Sequence, residues 1–337
     1  MTTDQIIYDC TIIGGGPIGL FAAFYAGLRE MSVKIIDSLE ELGGQLTALY
    51  PEKWVYDVGG FPKVKAKDLA AGCVAQAMQF HPTICVKEKV IGMEPGDDGV
   101  ITLTTDRGIH RTRTAIITAG VGAFAPRKLE RVPELDALEG KSVFYFVKDI
   151  ERFRGKRLLL VGGGDSAMDW ALNLEPLATS ITLIHRRDRW RAHEDTVNKV
   201  MASSVDVRIF HELKSVATDA DGKLTGATIF NNKTNEEITL ALDYLILNLG
   251  FVANLGPIKG WSLELERNGV VVDSTMATNL PGVYAAGDIT RYRGKLELIA
   301  TGFGEAAIAA NYAKNYIDPN SRVFPGHSSE LEAPPGG

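Results

Sequence analysis

Ile12-Ile13-Gly14-Gly15-Gly16-Pro17-Ile18-Gly19, near the start of this 337-residue chain, and Leu160-Val161-Gly162-Gly163-Gly164-Asp165-Ser166-Ala167, near its middle, decide how the rest is read. Each is a glycine run between a short apolar segment and a segment with helical spacing. Residues 8–13 read as a strand, 18–28 as a helix and 33–36 as a second buried strand. The middle of the chain repeats the plan, with a strand at 158–161, a helix at 166–174 and a strand at 181–184. The repetition is of architecture and not of sequence. In such a β-α-β unit the glycines let a pyrophosphate approach the backbone, and the helix N-terminus offers it free N–H groups and partial positive charge. One G-x-G-x-x-G is weak evidence. Two copies, each after a strand and opening a helix, point to two dinucleotide sites.

The end of the second strand in each unit tells the nucleotides apart. Counting from Gly14 reaches Asp37 (37 − 14 = 23), and the same count from Gly162 reaches His185 (185 − 162 = 23). A carboxylate accepts hydrogen bonds from a ribose with a free 2′-hydroxyl, as in the adenosine of FAD. His185-Arg186-Arg187, with Arg191 shortly after, would instead bind a 2′-phosphate through charge-assisted hydrogen bonds. The first site is therefore expected to take FAD and the second NADP(H). The plainer alternative for the basic cluster is a solvated loop.

Composition sets outer bounds. The chain is 45% hydrophobic and 23% charged, with a net charge of −6, which places it among globular proteins and argues against nucleic acid as a partner. No apolar run reaches the length of a membrane span. Met1-Thr2-Thr3-Asp4-Gln5 has no signal-like character. Cys10, Cys73 and Cys85 are odd in number and widely spaced. They read as buried filler in a reducing, cytoplasmic protein, and no metal site is expected. After Gly250 come a hairpin-like stretch (270–273), a strand (283–286) and a helix (302–315). These are too few to form a domain and are expected to complete the first one. The expected organisation is an FAD-binding domain of residues 1–120 plus 251–337, an NADP-binding domain of 121–250, and a C-terminal extension of 322–337 whose end, 332–337, is disordered.

Tyr284-Ala285-Ala286-Gly287-Asp288, Gly43-Gly44-Gln45-Leu46 and Thr118-Ala119-Gly120, together with both fingerprints, carry a resemblance to two-domain flavoproteins of the thioredoxin reductase type. It covers nearly the whole chain. The fold it implies is α/β, with two Rossmann-like FAD/NAD(P)-binding domains of three-layer ββα architecture. It also implies that Asp288 meets the flavin ribityl or pyrophosphate, and that the helix after Thr301-Gly302 directs its N-terminus at the pyrimidine edge of the isoalloxazine. One element departs from the pattern. Thioredoxin reductases carry Cys-x-x-Cys before the second fingerprint, where this chain reads Ser142-Val143-Phe144-Tyr145-Phe146-Val147-Lys148-Asp149, and no cysteine follows Cys85. Dithiol chemistry needs an attacking and a resolving thiol.

Val147-Lys148-Asp149, Leu49-Tyr50-Pro51 and Pro325-Gly326-His327-Ser328-Ser329-Glu330 are similar to a sister family, the bacterial ferredoxin–NADP reductases of the same fold. That likeness implies a homodimer passing electrons through FAD between NADPH, as hydride, and ferredoxin, one at a time. Tyr50 would stack on one face of the isoalloxazine. His327, supplied by the partner subunit, would cover the other and gate hydride transfer. Ser329 would lie near the flavin, Gln45 beside its phosphates or ring, and Val90 and Phe124 in contact with FAD. From the residues alone, the alternative for Tyr50 is a surface aromatic before a proline turn, though its planar ring suits a flavin face, while Val90 reads as core and His327 as an ordinary tail residue. With Gly14, Gly16, Pro17, Gly19, Asp37, Gly44, Gly287 and Asp288 these make the FAD set. Gly162, Gly164, Asp165, Ser166, Ala167, His185, Arg186, Arg187 and Arg191 make the NADP set. Lys63, Lys65 and Lys67, or Arg152, Arg154, Lys156 and Arg157, could receive an acidic ferredoxin. The rival functions are a quinone or flavodoxin reductase (diaphorase) on the same scaffold and a non-catalytic dinucleotide-binding redox sensor.

Overall fold

The structure, a computed structural model, describes residues 2–120 and 122–327. Its contacts divide the chain into two units, Met1–Phe124 with Ala253–Gly337, and Ala125–Val252. The crossovers are expected near 120–127 and 250–254, and the division falls at 124/125 and 252/253.

The first unit opens with β1 (Thr2–Ile13), α1 (Pro17–Leu28), β2 (Val33–Ile36), the short α2 (Gln45–Ala48), β3 (Trp54–Val55), β4 (Val64–Lys65), α3 (Ala66–Met78), β5 (Thr83–Cys85), β6 (Val90–Pro95), β7 (Ile101–Thr105) and β8 (Gly108–Ile117). Strands β5-β2-β1-β8 run parallel in that order, with Ile13 opposite both Ile36 and Ile117. Central parallel strands are covered on both faces and so are apolar throughout; all four residues of β2 are buried. Along the first half of β8 the next strand is β7, antiparallel.

Strand β9 (Ala123–Pro126) leads out to the second unit, with α4 (Leu135–Leu138), β10 (Val143–Phe144), β11 (Arg157–Gly162), α5 (Asp165–Leu174), β12 (Ser180–His185), α6 (Glu194–Met201), β13 (Asp206–Ile209), β14 (His211–Thr218), β15 (Leu224–Asn231), β16 (Glu237–Ala241) and β17 (Tyr244–Asn248). Its parallel sheet has the order β10-β17-β11-β12-β13, and β14-β15-β16 form an antiparallel meander.

The chain returns through β18 (Phe251–Asn254) and adds β19 (Leu265–Glu266), β20 (Gly269–Val271), β21 (Val283–Ala285), β22 (Thr290–Arg291) and α7 (Ile299–Ile317). Strand β21 pairs in parallel with the second half of β8, Val283 opposite Ala115 and Ala285 opposite Ile117. It is the fifth parallel strand of the first sheet, which the N-terminal segment alone leaves incomplete.

Three expectations need correction. Strand β1 starts at Thr2, six residues before the expected position, because its polar beginning pairs with Gly108 and Ile109 across an irregularity between Thr3 and Ile7. Helix α6 was not foreseen: of its eight residues only Val200 is buried, too few to print a periodicity. Helix α7 begins at Ile299 and not at 302. Gly302 is not its boundary but its contact with α1, since a Cβ there would stand 2.5 Å from Ile18 Cδ1.

Candidate dinucleotide sites

In the first unit a cavity of about 350 Å³ opens at the C-terminal ends of the parallel strands, the usual ligand position in such sheets. The Gly14 turn forms one wall. Gly14 N–H donates to the Ile36 carbonyl at 2.9 Å. At φ +113° a Cβ on Gly14 would lie 2.5 Å from the Thr118 carbonyl, so only glycine fits. Helix α1 starts here with Pro17 in its first turn, where a missing N–H removes no helical bond. Gly43 N–H donates to the Gly15 carbonyl at 2.8 Å, which brings the Gly44-Gln45 loop against the turn.

Of the expected FAD residues, Gly14, Gly16, Pro17, Asp37, Gly44, Gln45, Tyr50, Val90, Gly287 and Asp288 line this one cavity. Gly19 does not. It lies beneath the turn, where a Cβ would come within 1.9 Å of the Gly14 carbonyl. Phe124 lies in β9, and Ser329 lies outside the described residues. His327 is exposed, its ring edge-on to Phe324 at 5.3 Å, and does not line the cavity of its own chain. Sequence reading missed Glu88, Lys89, Pro257, Trp261 and Ile299, which also line it. None sits in a motif; Glu88, Lys89, Pro257 and Trp261 arrive through tertiary folding of the 88–90 and 255–261 segments, and Ile299 as the first residue of α7.

The electrostatics follow from burial. Asp37 is 8% exposed. Its carboxylate accepts from the N–H groups of Gly15 and Leu39, and burial, partly offset by those bonds, holds its pKa above the ordinary range. Tyr50 is pushed up to about 12 by burial, then by Asp288 and Asp57. Asp288 is raised by burial, against the pull of Lys295. A glycine cradle at a helix N-terminus, a buried carboxylate one strand away and a half-buried tyrosine fit pyrophosphate, ribose and a flat ring in turn.

The second unit repeats the turn with other chemistry. Helix α5 begins at Asp165, whose carboxylate accepts from His193 N–H at 2.9 Å, while Arg191 N–H donates to the Gly163 carbonyl at 2.8 Å. The two bonds draw Arg191 to the turn. The His185 ring stacks on Trp190 at 4.8 Å and donates through Nε2 to the Arg189 carbonyl at 3.1 Å. Its pKa is lowered, mainly by burial, against the hydrogen bond to Arg189, and further by the positive charge of Arg186, Arg187 and Arg191. Asn248, opposite Gly162 on β17, has a buried Oδ1 without a hydrogen-bond partner. The expected residues Gly162, Gly164, Ser166 and Ala167 form the turn and the start of α5.

The cations proposed to meet an acidic partner are largely engaged. Lys65 and Lys67 both bond Glu52 at 2.6 Å, Arg154 bonds Glu151 at 2.7 Å and Arg157 bonds Asp243 at 2.9 Å. None of the three cysteines forms a disulfide. Burial raises Cys10 to about 12 and Cys73 to about 11. Among the described residues no helix is long and apolar enough to cross a membrane, and no group of three or more His, Cys, Asp or Glu is placed to hold a metal.

One unit with a carboxylate-tipped glycine turn, another with an arginine-tipped one, and no dithiol between their fingerprints: this is the class of two-dinucleotide oxidoreductases. Comparison with known proteins agrees. The pattern of the pyridine nucleotide-disulphide oxidoreductase family matches residues 8–306. The chain is 54% identical over 331 residues to "Ferredoxin--NADP reductase 2" of Shouchella clausii, covering 98% of this chain and 100% of the relative. It is 52% identical over 328 residues to "Ferredoxin--NADP reductase" of Geobacillus thermodenitrificans, covering 97% and 98%. Among solved structures it is similar to the thioredoxin reductase of T. acidophilum, with TM-score 0.78 and 26% identity over 93% of this chain and 99% of that one. It is also similar to that of Lactococcus lactis, with TM-score 0.76 and 26% identity over 92% and 99%. The chain belongs to the pyridine nucleotide-disulphide oxidoreductase family, and within it to the ferredoxin–NADP reductases of thioredoxin reductase-like fold. That membership implies FAD and NADP(H) as cofactors.

Proposed function

We propose that this protein is a ferredoxin–NADP(+) reductase, joining NADPH to ferredoxin through FAD without a redox-active disulfide. The carrying observation is the pairing of Asp37 with one glycine turn and of Arg186, Arg187 and Arg191 with the other, in a chain whose cysteines form no disulfide. Bound FAD supplies the conversion of a hydride into single electrons. The residues bind and orient. The Gly14–Gly19 turn and α1 hold the pyrophosphate, Asp37 the ribose, and Tyr50 one face of the ring. Asp288 meets the ribityl or pyrophosphate. The arginines hold the 2′-phosphate of NADPH. His327 and Ser329 of a second copy cover the other flavin face, which makes the working form a homodimer, and the enzyme acts in the cytoplasm. The domains are an FAD domain built from both ends of the chain and an NADP domain inserted between them.

The test is anaerobic: purified protein, NADPH and a low-potential bacterial ferredoxin. We expect the yellow flavin band to bleach within seconds of adding NADPH, and ferredoxin to be reduced catalytically. Bleaching with turnover of quinone or flavodoxin alone would make it a diaphorase, and absence of bleaching would make it a sensor.

A further inference from the structure

A fully buried ion pair stands directly behind the cavity wall, and the roles above do not use it. Glu305, on α7, and Lys295 have side chains 4% and 5% exposed. Lys295 Nζ donates to both carboxylate oxygens, at 2.6 and 2.8 Å. Gly287 N–H donates to Oε2 at 2.7 Å and the Tyr292 hydroxyl to Oε1 at 2.6 Å. Thr290, whose hydroxyl donates to the Gly287 carbonyl at 2.9 Å, stands 3.5 Å from the same carboxylate. One carboxylate thus gathers donors from the Gly287-Asp288 turn, the 292–295 segment and, through its own backbone, α7.

Three residues of this region line the cavity: Gly287, whose N–H bonds the carboxylate, Asp288, which follows it, and Ile299, which opens the helix that carries Glu305. Gly287, at φ +84°, is fixed from the other side by Ile18 of α1, which a Cβ would meet at 3.2 Å. The Gly287 carbonyl accepts from the N–H and the hydroxyl of Thr290, and the Gly287 N–H is held by Glu305. Buried ion pairs add little stability over apolar side chains of the same shape, and folding alone does not call for one here. A charge in a low-dielectric interior acts over longer range than one in water. Asp288 stands within the field of this region: besides burial, which raises its pKa, Lys295 and Arg291 pull it down, and Glu297 and Glu305 push it up.

We propose that Glu305 is a positioning residue that holds the Gly287-Asp288 wall against the flavin, and that Lys295 cancels its charge so that the wall sets the reduction equilibrium of the ring. The proposal rests on the assignment of FAD to this cavity. Reduction adds negative charge to the ring. Removing Lys295 leaves an uncancelled carboxylate and must disfavour reduction, whereas neutralising Glu305 leaves an uncancelled ammonium and must favour it.

The experiment uses the full chain as isolated, with Glu305→Gln, Lys295→Met and the double variant. FAD in each is equilibrated anaerobically with a redox dye, and the ratio of reduced to oxidised flavin is read without turnover. The dissociation constant for FAD is measured on apo-protein. We expect the ratio to fall about tenfold in Lys295→Met, to rise about tenfold in Glu305→Gln, and to return to within about twofold of the starting protein in the double variant. A merely structural pair would loosen FAD in both single variants and move their ratios the same way, or not at all, and either result overturns the proposal. Should Lys295→Met fail to fold, Glu305→Gln against the double variant decides: a rise that the second substitution does not reverse sinks the idea. If the unsubstituted protein holds no FAD, the assignment of the cavity fails, and that is seen before any variant is compared.

Discussion

The two glycine turns stand at equivalent places in their units, and four positions separate them. Where the first has Pro17, Ile18, Gly19 and Asp37, the second has Asp165, Ser166, Ala167 and His185. The first turn is closed from inside. Gly19 lies under the Gly14 carbonyl, and Asp37 is buried with its oxygens on the N–H groups of Gly15 and Leu39. The second is held from outside. Asp165 and the Gly163 carbonyl tie down the 191–193 loop, and Arg186 and Arg187 are exposed. A sealed, carboxylate-tipped turn suits a cofactor that stays. An open, cationic one suits a dinucleotide that exchanges at each turnover.

The sharpest way to break this comparison is to exchange the third position. Gly19→Ala places a methyl 1.9 Å from the Gly14 carbonyl, a backbone clash that no rotamer relieves. Overpacking of this kind costs about 1–3 kcal/mol or more, and here it falls on the pyrophosphate turn itself. We expect a folded but colourless protein. Ala167→Gly in the other turn should leave the KM for NADPH within about twofold. Full FAD content in Gly19→Ala would show that the two turns are not distinguished by packing.

The second contrast is charge. Arg186→Ala with Arg187→Ala should raise the KM for NADPH by two orders of magnitude or more, at roughly 1.5–3 kcal/mol per charge-assisted contact, while NADH changes little. FAD content should be untouched. Equal loss for both nucleotides would mean the cluster does not read the 2′-phosphate.

Much of this contrast was legible in the sequence, because it is local. A glycine turn, the strand before it and the residue ending the next strand lie within about thirty residues, as in any βαβ unit. Gly14, Gly16, Pro17 and Asp37 line one cavity for that reason, while Gly44, Gln45, Tyr50, Val90, Gly287 and Asp288 were legible through the family resemblance. What was not legible is what tertiary folding brings in. Trp261 and Pro257 reach the cavity through a 3₁₀ turn of no distinctive composition. Glu305 looks, in sequence, like any acidic residue on an amphipathic helix, and only the fold places Gly287, Tyr292 and Lys295 around it. Gly302 misled in the opposite way: a glycine that resembles a helix boundary serves helix packing.

A smaller effect is expected from the ribose acceptor. Asp37→Ala should weaken FAD retention by roughly 1–3 kcal/mol, the cost of leaving donors unpaired. The ionised carboxylate is the acceptor, so protonation removes it as pH falls. Burial holds its pKa above the ordinary 3.8, so acid release of FAD should begin at a less acid pH than an exposed aspartate would give. In Asp37→Asn that acid limb should disappear. An unchanged acid profile in the asparagine variant would assign it to other groups.

The smallest effect is expected where this chain departs from the structures it resembles. The segment before the second fingerprint carries Phe144, Tyr145 and Phe146 and no cysteine. Cys10 and Cys73 are buried, and their pKa values of about 12 and about 11 leave almost no thiolate at neutral pH. Cys10 lies within β1 and Cys73 within α3, both in the first unit, whereas the Gly162 fingerprint belongs to the second. Neither can attack a disulfide without first breaking the packing around it. Replacing Cys10, Cys73 and Cys85 together with alanine should therefore leave NADPH-driven ferredoxin reduction within about twofold, while lost packing lowers stability by about 0.5–3 kcal/mol per buried site. Thioredoxin should not be reduced by either protein. The measurement is the turnover rate alongside FAD content and the thermal melting curve. If the triple variant is folded, holds FAD and has lost turnover, electrons do pass through a thiol, and the two turns are not the whole route.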